Sequence, residues 1–369
     1  MASLALTIRE TLRYRGAIGQ WSWVLHRLTG LGVVFFLVIH VIDTSWAVFF
    51  PALYEKAIRI YQTPLFTLGE FALVFAVVYH ALNGLRIAIF DFKPEWWKHQ
   101  ERAAQAVFAG TALILVPMFI GMAYHAIQHY SHDPFILPLS EVLAEQLPFL
   151  AGIVVAAIGA IILAFVYNMV MGATEPVGPA KAQGSALERF WWSFMRVSGL
   201  LIVPLVFGHL AAMHVVQGVF DLTAAQLRVV GVAPSTAEPF TLEQTAALLN
   251  DDSARTENFL NGWNDSGTAT EFVAERWSAM LGPVFIWRAY DIALLALVTI
   301  HGFNGLRYVL TDYTQGNAVL RRAAGYLCVI GAIALLIVGG AALLSAVPQD
   351  AIKMAHEATR AMMMAHGGG

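Results

Sequence analysis

Four histidines stand where an apolar chain rarely carries them: His40, His80, His209 and His301. Two belong to related strings, "YHALNGLRIAIFDF" at 79–92 and "IHGFNGLRYVLTDY" at 300–313. There His80 matches His301, Asn83 matches Asn304, Gly84 matches Gly305, Arg86 matches Arg307 and Asp91 matches Asp312. The other two close a second pair of strings, "HRLTGLGVVFFLVIH" at 26–40 and "MRVSGLLIVPLVFGH" at 195–209. These align Arg27 with Arg196, Gly30 with Gly199 and His40 with His209. An ionisable group inside a bilayer is costly and marks function by default. A single histidine there also serves as a neutral hydrogen-bond partner between helices; four at repeated positions favour work over packing. Imidazole is a ligand for metals and a carrier of protons.

Depth decides which histidines belong together. His80 and His301 each lie 11 residues before the aspartate that ends the string. On a helix that is about 16 Å from the same end. His40 and His209 lie 13 residues beyond Arg27 and Arg196, about 20 Å from that end. Two level pairs on four helices suit two bis-histidine haems, flat apolar discs held between bundle helices. Gly84 and Gly305 follow their histidines by one helical turn, on the same face, and leave room for a macrocycle; small residues there equally serve close helix packing. Arg27, Arg86, Arg196 and Arg307 stand near the boundary, as partners for haem propionates or snorkelling to headgroups. His214 rivals His209, but the two point about 140° apart on a helix. Asp312 lies on the face of His301 with Tyr313 beside it, and a carboxylate with a phenol can hydrogen-bond and protonate a quinone carbonyl. The alternatives are a polar helix end and an interfacial aromatic anchor. The first string has Phe92 where the second has Tyr313.

The elements that must position these groups are legible in the composition. Of 369 residues, 58% are hydrophobic and 13% charged, with mean hydropathy +0.63. This excludes an ordinary soluble domain and predicts an all-α, polytopic membrane bundle. About seven spans are expected, near 24–49, 65–91, 104–128, 148–172, 190–219, 282–311 and 321–347. With the N-terminus inside, Arg9, Arg13, Arg15, Lys93, Lys98, Arg102, Lys181, Arg189, Arg321 and Arg322 all fall on the inner side. The outer loop 129–147 has no Lys or Arg and the loop 220–281 is mainly acidic. That asymmetry follows the positive-inside rule and supports an N-terminus on the inner side; the expected location is the cytoplasmic membrane. The first apolar run is too long, and lacks the small-residue site, for a cleaved signal.

The expected organisation is a three-helix half at 1–130, an outer loop and linking helix at 131–180, and a second half at 181–350, followed by a tail at 351–369. A three-helix unit that starts inside ends outside, so the helix at 148–172 returns the chain. The tail reads as loose or amphipathic. His125, His129 and His132 read as a solvated outer loop rather than a zinc site, and a metal at His356 and His366 is not favoured. The single cysteine, Cys328, cannot hold an iron–sulfur cluster alone. It reads as a small buried side chain.

"HRLTG" with "YHALNGLRIAIFDF" resembles the larger cytochrome b anchor of succinate dehydrogenase and quinol:fumarate reductase (respiratory complex II). "RVSG" with "IHGFNGLRYVLTDY" is similar to the smaller anchor. The resemblance implies a natural fusion of two anchor subunits. It covers six helices but not the linking helix or most of 220–281. It further implies that His80 and His301 hold the haem b nearer the inner face. Tyr313, Asp312 and Arg27 would then line a quinone site beside the docked iron–sulfur subunit. Family members often carry serine three residues before the histidine of "HR"; Trp23 stands there with Ser22 one place earlier, and both are candidate contacts. His40 and His209 make the chain similar to two-haem members, which commonly work with menaquinone. The implied partners are the flavoprotein and iron–sulfur subunits, membrane lipid and quinone, with the complex in a higher oligomer such as a trimer; nucleic acid is not among them. With neither flavin fingerprint nor cluster cysteines, the chain would reduce quinone but not oxidise succinate. The competing readings are a di-haem cytochrome b of another dehydrogenase, a haem-free transporter with repeated halves and a His/Asp proton relay, and a haem-free anchor.

Overall fold

The computed structural model describes residues 16–131, 136–172, 185–216, 219–223, 267–281 and 283–366. Arg9, Arg13, Arg15, Lys181, His132 and most of the 220–281 loop lie outside them. Seven helices are long and apolar enough to cross a membrane, at the positions the apolar runs predict. They are α1 (Ile18–Phe49), α3 (Pro64–Phe92), α4 (Gln100–Tyr130), α6 (Leu147–Met171), α7 (Ala186–Leu210), α9 (Ile286–Tyr313) and α10 (Ala318–Leu344). Local signals set their ends. Pro64 opens α3, where a missing N–H costs nothing. Ser185 and Glu188 form a capping box on α7. Gly172, at φ 58°, closes α6 in the left-handed region that a side chain disfavours.

The polar strings all fall on α1, α3, α7 and α9, and these four pack as a ring: α1 on α3, α3 on α7, α7 on α9 and α9 back on α1. The third helices flank the ring, α4 on α3 and α10 on both α9 and α1. Close approaches depend on glycine. A Cβ on Gly339 of α10 would stand 2.8 Å from Val41 and 2.9 Å from Leu295. The linking helix α6 touches the bundle through Ala160 and Ala164 against Ala323 of α10. An Arg322–Asn168 hydrogen bond secures its end, and the rest of its surface is exposed and apolar.

Opposite the end where α1 begins, α2 (Pro51–Tyr61), α8 (Ala269–Ser278) and α11 (Gln349–His366) pack together as a cap. None has a spanning hydropathy. The tail is therefore an amphipathic helix that buries Ala351, Ile352 and Ala355. Glu55 of α2 is fully buried and accepts from the Ala269 amide (3.2 Å), the Thr270 amide (2.8 Å) and the Thr270 hydroxyl (2.8 Å). It thereby supplies the acceptor that the first amides of α8 lack. Burial pushes the Glu55 carboxyl up from its usual range, against the hydrogen bonds and nearby Arg59 that pull it down. The solvated loop expected around His129 is packed instead: its ring stacks on Phe220 at 4.3 Å. Among the described residues no group of three or more His, Cys, Asp or Glu could hold a metal ion. Cys328 is buried beside Phe303 and Leu335.

Candidate functional site

The ring of four helices encloses an elongated, mostly apolar cavity of about 880 Å³. His40, His80, His209 and His301 all line it, one from each helix of the ring. His40 and His209 face each other, with ring centroids 6.0 Å apart and planes at 77°. His214 lines the same cavity and is engaged by a carboxylate: its Nδ1 lies 2.5 Å from Glu70 Oε1. It sits in a single π-helical turn, Ala211–Val216, that continues α7, a local widening common at functional sites.

His80 and His301 are each held from the neighbouring helix by the glycine-bearing string of their own half. A Cβ at Gly30 would stand 2.8 Å from His80 Cε1, and one at Gly199 would stand 3.4 Å from His301 Cε1. Substitution at Gly30 must therefore displace the ring. His80 Nδ1 lies 3.1 Å from the His26 carbonyl oxygen. A carbonyl only accepts, so Nδ1 carries the proton and Nε2 is left with a free lone pair. His301 Nδ1 lies 3.0 Å from Ser198 Oγ. Gly84 and Gly305 also line the cavity; a Cβ there would make ordinary contact with His26 (3.5 Å) and Met195 (3.8 Å).

At the end where α1 begins, the four-helix ring is tied by two reciprocal ion pairs. Arg27 of α1 pairs with Asp312 of α9. Arg196 of α7 pairs with Asp91 of α3, through Nε at 2.9 Å and a second guanidinium nitrogen at 2.5 Å. Each guanidinium also lies over a tryptophan one turn earlier, Arg27 over Trp23 at 4.1 Å and Arg196 over Trp192 at 4.2 Å. Tyr313 is 76% exposed at this end. Arg307 bonds Asn304 Oδ1 at 2.9 Å, and Arg86 reaches the Gln100 carbonyl at 3.4 Å. Ser22 is turned away from the cavity: fully buried, it donates to Asn83 Oδ1 (2.7 Å) and receives the Tyr79 hydroxyl (3.2 Å).

Several residues of the site carry no strong sequence signal. His26 lines the cavity and stacks on His80, centroids 4.0 Å apart and nearly parallel; its position in "HRLTG" beside Arg27 was the available clue. Toward the cap, Asp43 accepts from Tyr61, while Asp291 accepts from Trp277 Nε1 at 3.0 Å and lies 3.7 Å from Arg276.

A model of the succinate dehydrogenase/fumarate reductase transmembrane subunit matches residues 8–119, the stretch that holds "HRLTG" and "YHALNGLR". The succinate dehydrogenase 2 membrane subunit SdhC of Mycobacterium tuberculosis (strain ATCC 25618 / H37Rv) is 37% identical over 117 residues. That alignment covers 86% of the relative and 32% of this chain. The chain belongs to the succinate dehydrogenase/fumarate reductase transmembrane subunit family. No solved structure matches it. The family match ends within α4, so α7 and α9 stand beyond it, although they complete the ring around the cavity and α9 supplies Asp312 to Arg27.

Proposed function

We propose that this chain is the di-haem cytochrome b anchor of a succinate:quinone oxidoreductase. It would span the cytoplasmic membrane with α1 starting on the cytoplasmic side. There it would hold the iron–sulfur subunit and, through it, the flavoprotein, and pass electrons to a membrane quinone, menaquinone by the resemblance to two-haem members. Its two halves read as two anchor subunits in one chain. The observation that carries this reading is one apolar cavity with a histidine from each of four helices.

The residues fit two haems b. His40 and His209, facing each other across the cavity, would be the pair that holds one haem. The buried Nδ1 of His209 has no hydrogen-bond partner among the described residues. An unpaired polar atom in an apolar cavity is expensive; a metal bound at that same nitrogen would complete it, and one bound at Nε2 would not. His80 and His301 offer Nε2 from rings locked by their Nδ1 bonds. Haem b supplies one-electron transfer through the bundle when bound. Gly84 and Gly305 leave the walls flat for it, and Arg27, Arg86, Arg196 and Arg307 lie toward the end where propionates would meet water.

Quinone reduction takes two electrons and two protons. Tyr313 and the half-exposed Asp312 are the groups at the open end that can hydrogen-bond a quinone carbonyl and deliver a proton. Arg27 sets the position of Asp312, and Trp23 walls the site. Ser22 is assigned instead to the Asn83–Tyr79 contact between α1 and α3. Purification of the tagged chain tests the reading: the flavoprotein and iron–sulfur subunits should accompany it and confer succinate:menaquinone reductase activity. Co-purification of a different dehydrogenase, or of none, would overturn it.

A further inference from the structure

The two histidines nearest the ion pairs occupy related sequence positions but have different hydrogen-bond acceptors. Behind His80 stands a peptide carbonyl, His26 O, which also receives Thr29 Oγ1 at 3.1 Å. Behind His301 stands a hydroxyl. Ser198 Oγ donates to the Phe194 carbonyl at 2.5 Å and lies 3.0 Å from His301 Nδ1. A serine hydroxyl has one proton. With that proton on Phe194 O, the oxygen can only accept from His301, so Nδ1 carries the proton and Nε2 the lone pair. Ser198 is buried, at 2% exposed. Thr29 holds the same place in "HRLTG" that Ser198 holds in "MRVSG". Its hydroxyl is spent on its own helix, at Leu25 O (2.6 Å) and His26 O (3.1 Å), and does not touch His80.

We infer that Ser198 is a positioning residue for one haem iron: it fixes the tautomer and orientation of His301 and strengthens its Nε2 as a donor. The inference rests on the proposed assignment of His301 as an axial ligand. A metal-bound imidazole whose N–H meets an acceptor is the more basic ligand, and loss of such an acceptor costs roughly 10–100-fold in metal affinity or activity. A stronger donor favours the ferric over the ferrous state. Without Ser198, Nδ1–H is buried and unpaired, the donor weakens, and the midpoint potential of that haem rises. The hydroxyl's bond to Phe194 O polarises it as an acceptor, which a side chain without oxygen cannot imitate.

The test is a redox titration of the haem absorbance in the purified complex for wild type, S198A, and the shape-matched pair S198T and S198V. Haem content is measured on the same samples. In S198A and S198V one of two haem components should titrate at higher potential. Its ferrous:ferric ratio at the wild-type midpoint should change by about tenfold, or about 59 mV for one electron. The other component should stay fixed. S198T should restore the wild-type midpoint, and T29A should move neither component. The inference is overturned if S198A and S198V titrate as wild type, if S198T shifts as far as S198V, or if T29A gives the same shift as S198A. A wild-type complex without haem, or an H301A complex that retains both haem components, would overturn the underlying assignment of His301.

Discussion

The two ion pairs at the end where α1 begins use the same parts in different settings. Arg196, Asp91 and Trp192 form a closed set: the side chains of the pair are 21% and 19% exposed, two short hydrogen bonds join them, and apolar Phe92 follows the aspartate. Arg27, Asp312 and Trp23 form the open set. Asp312 is 47% exposed and is followed by Tyr313, itself largely exposed. A screened, half-exposed ion pair contributes little to stability, whereas a mostly buried one is costly to break. The closed set suits a clamp between α3 and α7. The open set suits a site whose carboxylate can be re-aimed at a ligand. The two junctions share an arginine, an aspartate and a tryptophan, and differ where Phe92 follows Asp91 and Tyr313 follows Asp312.

Substitution should break this symmetry in a graded way. The largest effect is expected at the open set: D312N should lower quinone reductase turnover about 10²–10³-fold, the range of a lost general acid. Haem spectrum and melting temperature should stay near wild type, as steady-state kinetics, spectroscopy and thermal unfolding would register. Y313F should lose about tenfold to a hundredfold, while F92Y should change nothing. D91N should do the reverse, retaining most turnover but destabilising the folded chain by about 1–3 kcal/mol, because Arg196 is left partly buried without its partner. Equal kinetic losses in D91N and D312N would dissolve the distinction between clamp and site.

Smaller effects sharpen other contrasts. Gly30 meets His80 more tightly than Gly199 meets His301, so G30A should cost about 1–3 kcal/mol by overpacking and perturb one haem, with G199A milder in both. At the far cap, burial raises the Glu55 pKa in the folded state. A carboxyl with a raised folded pKa contributes stability that is present at low pH and is lost as pH rises through that folded value. Thermal unfolding should therefore show a cap that loosens as pH rises from the ordinary carboxylate range through the folded value, and E55Q should flatten the dependence.

Much of this site was legible because bilayer physics is severe. Spans announce themselves by length, and polar residues inside them stand out against the apolar background. His40, His80, His209 and His301 and the Asp312–Tyr313 pair were all visible that way. The direct contacts that hold each group were not. Asp312 reads along its own helix as a neighbour of Tyr313, but the cation that holds it comes from α1, nearly the whole chain away. His214 and His209 differ by a short step in sequence and both line the cavity, but only His214 meets a carboxylate, Glu70 of α3. Ser198 stands in "MRVSG" without a signal of its own, and its contact with His301 is visible only across the helix pair. The cap was the least legible region. Its helices are short and mixed in polarity, and Glu55 makes sense only once the first amides of α8 lie over it.

The central claim is that one cavity holds two bis-histidine haems. The most direct measurement is haem per chain, by pyridine haemochrome on the purified complex with a reduced-minus-oxidised spectrum. Two b haems per chain, falling to one in H209A, is the predicted result. A wild-type complex with no haem, or with a haem content that H209A and H301A both leave unchanged, would contradict the account.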